Sequence, residues 1–140
     1  MKRSKKNIAL IIILVTPVVL GTGCLSLAGG CGNEVIREIE SPDKKHRVVV
    51  FQRDCGATTG FSTQVSILPG TTRLPEEGGN VFACDTDHGK APTGPGGGPP
   101  VEIEWKGNDS LLITHDYRAG IFLSADSSGG VKIIYAKKTF

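Results

Sequence analysis

The 140 residues include only one Met, one Trp and two Tyr, and aromatics make up 6% of the chain. A nucleic-acid surface that stacks bases on rings is therefore poorly supplied. Basic charge is scarce where such a surface would need it. Lys2, Arg3, Lys5 and Lys6 precede the first acidic residue, Glu34, and without them 12 basic residues stand against 14 acidic ones. A slightly acidic body with scattered Lys and Arg offers no counterion-releasing face, so nucleic acid is excluded as a partner.

Catalytic and metal signatures are also missing. No Gly-x-Ser-x-Gly elbow occurs, and no two of the four cysteines have Cys-x-x-Cys spacing. The three histidines are far apart, which argues against a structural zinc site. Glu102 and Glu104 lie on the same outward face of an alternating run and read as a solubilising face, not as a glycosidase pair. His115 and Asp116 are neighbours in a strand and point to opposite sides. No stretch carries a helical apolar period, and no internal repeat is present.

What the chain does have first is an export pattern. Lys2 to Lys6 form a basic n-region, Ile8 to Leu20 an uncharged apolar run, and 21–30 a stretch of small residues and Leu. That order defines a secretory signal or membrane anchor, so 1–30 divides from a single domain at 31–140. A spanning helix needs about 20 apolar residues. Ile8 to Gly29 just reaches that length, but Pro17 and the glycines weaken it as a helix. Lipid attachment is favoured over a bare span. Leu20-Gly21-Thr22-Gly23-Cys24 resembles the bacterial lipobox, with Gly21 where an aliphatic residue belongs, and Leu27-Ala28-Gly29-Gly30-Cys31 is a second version. Cys24 is thus the expected lipidation site, with Cys31 as the alternative.

An exported chain lives where disulfides persist. Cys31 opens the domain and Cys55 ends a strong strand, so Cys31 with Cys55 is the favoured pair; if Cys31 carried lipid, the pair would be Cys55 with Cys84. Closing a loop of about two dozen residues contributes about 3 kcal/mol in the chain-entropy model.

From Asn33 onward, short runs rich in Val, Ile, Phe, Thr and Tyr alternate with Gly, Pro, Asn and Asp, which is an all-β rhythm. The runs are Glu34 to Glu40, His46 to Arg53, Ser62 to Leu68, a weak one at Asn80 to Cys84, Val101 to Trp105, Ser110 to His115, Gly120 to Ala125 and Val131 to Tyr135. Turns fall at Ser41-Pro42-Asp43-Lys44, Gly107-Asn108-Asp109 and Ser127 to Gly130. Seven or eight such strands, mostly joined by hairpins, predict a small antiparallel β-sandwich, barrel or curled sheet. The second run is expected to be buried on both faces, and Val49, Phe51, Val65, Ile103 and Trp105 are the expected core.

Two loops are candidate binding elements. Cys55 to Phe61 carries Gly56, Thr58, Thr59, Gly60 and Phe61 after Asp54, and reads either as an anion nest or as a Gly-dependent capped turn. Thr93 to Pro100 is a flexible glycine run that stiffens toward polyproline. A third loop, Asp85-Thr86-Asp87-His88-Gly89, begins like a calcium loop, but Lys90 and Gly96 occupy the sixth and twelfth positions, so an EF-hand is excluded. Asp54, Asp85, Asp87 and His88, with His115 in reserve, make a simpler divalent site or metal-dependent hydrolase the alternative reading. No cofactor is implied.

Together, Cys31-Gly32-Asn33-Glu34, Ser41-Pro42-Asp43-Lys44, Val50-Phe51-Gln52-Arg53-Asp54-Cys55-Gly56-Ala57-Thr58-Thr59-Gly60-Phe61-Ser62-Thr63-Gln64-Val65-Ser66 and Glu77-Gly78-Gly79-Asn80 resemble a family of small exported bacterial proteins with no assigned function. The resemblance covers roughly Cys31 to Trp105. It implies export and a compact domain, and supplies no activity or catalytic residue. The expectation is a non-enzymatic envelope protein, held at the membrane through its N-terminal segment or lipid, that binds an envelope partner through its loops or serves a purely structural role.

Overall fold

The computed structural model describes residues 30–140, and these contain nine strands and no helix. Cys24, the expected lipidation site, and the apolar run of 8–20 lie outside the described residues, whereas the alternative, Cys31, has its sulfur bonded to Cys55 and is not free for a lipid thioether. The strands are β1 (Gly32–Glu40), β2 (His46–Asp54), β3 (Ser62–Pro69), β4 (Phe82–Asp85), β5 (Val101–Trp105), β6 (Ser110–Asp116), β7 (Gly120–Ser124), β8 (Ser127–Ser128) and β9 (Val131–Lys138). They form a five-stranded sheet, β1-β2-β3-β4-β7, and a four-stranded sheet, β5-β6-β9-β8.

The first sheet starts as two successive hairpins. Lys44 takes a left-handed φ of 59° in the β1–β2 turn. Asp43 Oδ1 holds that turn by accepting from Ser41 Oγ at 2.7 Å and Lys45 N at 3.1 Å. This is the local capping that Ser-Pro-Asp predicts. A bulge between Val35 and Arg37 leaves Ile36 unpaired, so Ile36 turns onto the core while Val35 stays exposed.

The two sheets pack face to face. Val48, Val50, Val65, Phe82 and Cys84 from one meet Ile103, Leu111, Ile113, Val131 and Ile133 from the other in a single apolar cluster. On the opposite face of the first sheet, Val49, Phe51 and Leu68 form a smaller cluster closed by Leu74. β2 is therefore covered on both faces, as its unbroken apolar run predicts. The cover is the β3–β4 connection. Asn33 Nδ2 donates to Pro75 O and Glu77 O, and Gly79 N donates to Gln64 Oε1 at 2.6 Å.

Three expectations need correction. The sandwich is not wholly antiparallel, because β6 and β9 pair in parallel from Ser110↔Lys132 to Asp116↔Lys138. Between them the chain crosses to the first sheet as β7 and turns at the far end, so β9 leaves in the direction of β6. Trp105 is only partly buried and flanks the core, with its Nε1 donating to Ile39 O at 3.2 Å. The Ser127 to Gly130 turn is tighter than expected: Ser127–Ser128 pair with β9, leaving Gly129 and Gly130 to reverse the chain at φ 57° and 82°.

Candidate functional site at the disulfide-braced end

Strand directions gather one set of connections at one end of the sandwich. Gly32↔Asp54, Thr63↔Cys84, Asp85↔Gly120, Val101↔His115 and Asp116↔Lys138 all mark that end. It therefore holds the entry of the chain from residue 30, the loops after β2 and β4, the β6–β7 turn and Phe140. The Cys31–Cys55 disulfide staples the mouth of the β1–β2 hairpin there. Cys84 is a free, fully buried cysteine, which removes the alternative pairing with Cys55. Burial, with Asp85 beside it, pushes its thiol up to about 12, so it is an inert core residue.

The Cys55 to Phe61 loop is a capped turn. Asp54 Oδ1 accepts from Gly56 N at 2.9 Å, and Gly56 O accepts from Thr59 N at 3.0 Å and Thr59 Oγ1 at 3.1 Å. Gly56 needs its φ of 105° for this. Those N–H groups are satisfied internally beside a carboxylate, so the anion-nest reading gives way to the turn.

The glycine run is likewise built, not slack. Gly94 N donates to Gly98 O at 2.7 Å and Gly97 N to Gly94 O at 3.1 Å, folding the loop on itself. A methyl group on Gly98 would stand 2.5 Å from Thr63 Oγ1, and one on Gly97 would stand 2.5 Å from Phe61 Cδ2. The glycines are thus required by close approach, and the two candidate loops touch through Phe61 on Gly97. Thr63 Oγ1 locks the junction by donating to the buried Pro99 O at 2.7 Å. Under it runs a largely apolar groove of about 270 Å³ lined by Ile36, Val50, Thr63, Pro99, Val101 and Phe140, with Arg37 and Glu102 as its charged members.

The acidic loop is occupied with its own turn. Asp85 Oδ1 accepts from Asp87 N at 2.8 Å, and Asp87 Oδ2 pairs with Lys90 Nζ at 2.7 Å. The Lys90 ammonium holds the Asp87 carboxyl below its ordinary range. Asp87 and His88 adopt positive φ of 45° and 58° to close the turn. Among the described residues no three His, Cys, Asp or Glu side chains converge as metal ligands, so Asp54, Asp85, Asp87 and His88 are not brought together as one set.

His115 and Asp116 separate as the strand pleat requires. His115 is buried against Phe82, ring centroids 5.3 Å apart, with Nδ1 2.9 Å from Asp116 O. The Asp116 carboxylate, fully buried, instead accepts from Arg118 Nε and Nη2 at 2.8 Å each and from Phe140 N at 3.0 Å. These bonds, Arg118 first, hold it far below the usual carboxylate range. The group braces the β6–β7 turn and is not part of a dyad.

Of the exposed apolar side chains at this end, sequence reasoning finds Phe61 and misses Tyr117, Ile121 and Phe122. Tyr117 is 59% and Phe122 65% exposed, with Ile121 at 39% and Phe61 at 44%. Phe122 lines a shallow depression with Cys55, Thr59, Gly60 and Asp85. Gly120-Ile121-Phe122-Leu123 is an expected strand whose apolar run does not say which side chains face out. Only its place at the sheet edge, beside the register shift between Ala83 and Cys84, turns it outward. No protein-family model, curated protein or solved structure matches the chain.

Proposed function

We propose that the protein is an exported, membrane-tethered domain of the cell envelope that acts by binding, not by catalysis, and does so through its disulfide-braced end. The carrying observation is the contact of the two candidate loops. Phe61 sits on Gly97, Thr63 locks Pro99, and the apolar groove ending at Phe140 opens beside them. A pre-formed, largely apolar groove with few polar groups suits recognition of an apolar segment. The disulfide supports the oxidising compartment that export requires. The resemblance to small exported bacterial proteins and the basic-then-apolar pattern of 2–20 support the tether.

The titratable groups favour binding over turnover. Asp87 and Asp116 are committed to Lys90 and Arg118, and the Cys84 thiol is buried. The test is site-specific photo-crosslinking of the full chain in intact cells, with the photoreactive residue at Phe61 or, as control, at Asn108 in the far-end turn. A discrete adduct from Phe61 and none from Asn108 is expected. Equal labelling from both positions, or hydrolytic turnover abolished by Asp87→Ala, would overturn the reading.

A further inference from the structure

The large apolar side chains left exposed are unevenly placed. Val35, Phe61, Tyr117, Ile121, Phe122 and Ile134 are those among the described residues, and Phe61, Tyr117, Ile121 and Phe122 stand at the braced end. The chain also enters the domain there. Gly30 and Cys31 are the first described residues, and Cys31 is fixed to Cys55, one turn from Thr59. Residues 1–29, with their basic start and the apolar run Ile8 to Leu20, therefore join the domain at the end that displays the aromatics.

Three of the carboxylates at this end are paired in place, Asp116 with Arg118, Asp87 with Lys90 and Glu102 with Lys138, while Asp54 and Asp85 keep their charge and accept backbone N–H groups. Arg118 also lies over the Tyr117 ring at 5.3 Å, and Lys138 over the Phe140 ring at 4.0 Å. Rings with a polar or cationic partner, mostly paired charges and a short link to the membrane tether have the character of side chains at a membrane–water interface. The far end differs, with Lys44, Lys45, Asn108 and Asp109 exposed.

We infer that the braced end rests on the lipid bilayer, with Tyr117, Ile121 and Phe122 in the interfacial layer and the Trp105 end directed away. This deepens the proposed function, resting on its tether and on its choice of binding end, and it names the bilayer as the first occupant of that end. Paired charges imply apolar seating, so zwitterionic phosphatidylcholine suffices and salt changes little.

Trp105 supplies an internal control. Along a strand rising about 3.3 Å per residue, it stands about 13 Å beyond Val101, away from the braced end. The full chain and its Phe122→Trp and Tyr117→Trp variants would be reconstituted in phosphatidylcholine vesicles containing a chain-brominated phosphatidylcholine. Both replacements are at exposed positions and leave the core untouched. The expected result is loss of most of the added emission to the brominated lipid, while Trp105 emission is preserved and open to aqueous iodide. Added emission quenched by iodide and indifferent to brominated lipid, in vesicles that retain the chain, would overturn the inference and leave the end to a protein partner. A chain that fails to remain with the vesicles would overturn the tether itself, and with it both readings.

Discussion

Replacing both Cys31 and Cys55 by Ala isolates what the staple contributes. The bridge closes a loop with a sequence separation of 24. In the chain-entropy model such a cross-link removes about 12 cal/mol/K from the unfolded chain, or about 3.5 kcal/mol at 25 °C. With about 110 ordered residues and about 2.1 cal/mol/K per residue of unfolding entropy, that corresponds to about 15 °C in Tm. The native hairpin is also held by the ladder from Gly32↔Asp54 to Glu40↔Arg47, so the fold is expected to survive the loss. Thermal and urea unfolding at pH 7 measure the change. The urea m-value should rise as well, since the uncrosslinked chain exposes more surface on unfolding. Thiol mapping provides the parallel check. Cys84 should resist alkylation in the native protein, and Cys31 and Cys55 should become reactive only after reduction. A Tm shift below about 5 °C with an unchanged m-value would refute the loop-closure reasoning. Recovery of Cys84 in a disulfide would refute the pairing itself.

Other perturbations test other layers. Phe82→Ala, at a fully buried side chain between Tyr135 and His115, should cost about 3–5 kcal/mol in urea unfolding; a cost under about 1 kcal/mol would place Phe82 outside a tightly packed core. Asp116→Asn tests the depressed carboxylate. Because its folded-state pKa lies below the unfolded value near about 3.9, its contribution is present above that pH and lost as pH falls toward the folded value. The variant should therefore be less stable than the parent at pH 7, with the gap closing in acid, and a pH-independent difference would contradict this. Thr63→Val leaves Pro99 O without its donor and should cost about 1–3 kcal/mol while raising amide exchange at Gly97 and Gly98; unchanged exchange there would show that the loop does not depend on that bond.

Alternation and turn chemistry are enough to place the strands. Val101-Glu102-Ile103-Glu104-Trp105 carries its pattern in the residues themselves, and Asp43 caps its turn through atoms two residues away. The Cys31–Cys55 pair is legible for the same reason, since each cysteine sits at the end of a strand of one hairpin. Pairing beyond neighbours is not legible. The parallel match of β6 with β9 depends on the crossing of β7 to the other sheet, which no local pattern records. The second core under Leu74 depends on Asn33 and Arg53 reaching back to the β3–β4 connection, Arg53 Nη1 donating to Asn33 Oδ1 at 2.7 Å. In the site, the glycine run gives composition without conformation. Its reading as a flexible linker fails because Thr63 and Phe61, three dozen residues upstream, approach Gly98 and Gly97 too closely for any larger residue.

The same geometry separates a binding domain from an inert structural one. Phe122 and Tyr117 are largely in water, so their replacement by Ser removes little buried area and should leave unfolding within about 0.5 kcal/mol. Phe61, 44% exposed and lying close to Gly97, belongs to both worlds. A residue that adds nothing to the fold yet keeps a large apolar side chain exposed next to a tether acquires its favourable burial only when something covers it. If the protein were purely structural, the braced end would tolerate polar side chains with neither stability nor localisation changing. If it binds, Tyr117→Ser with Phe122→Ser should leave Tm in place and change only what that end touches. Comparing Tm with vesicle contact or crosslinking in the same variants therefore distinguishes the two roles in a way that sequence pattern and fold class cannot.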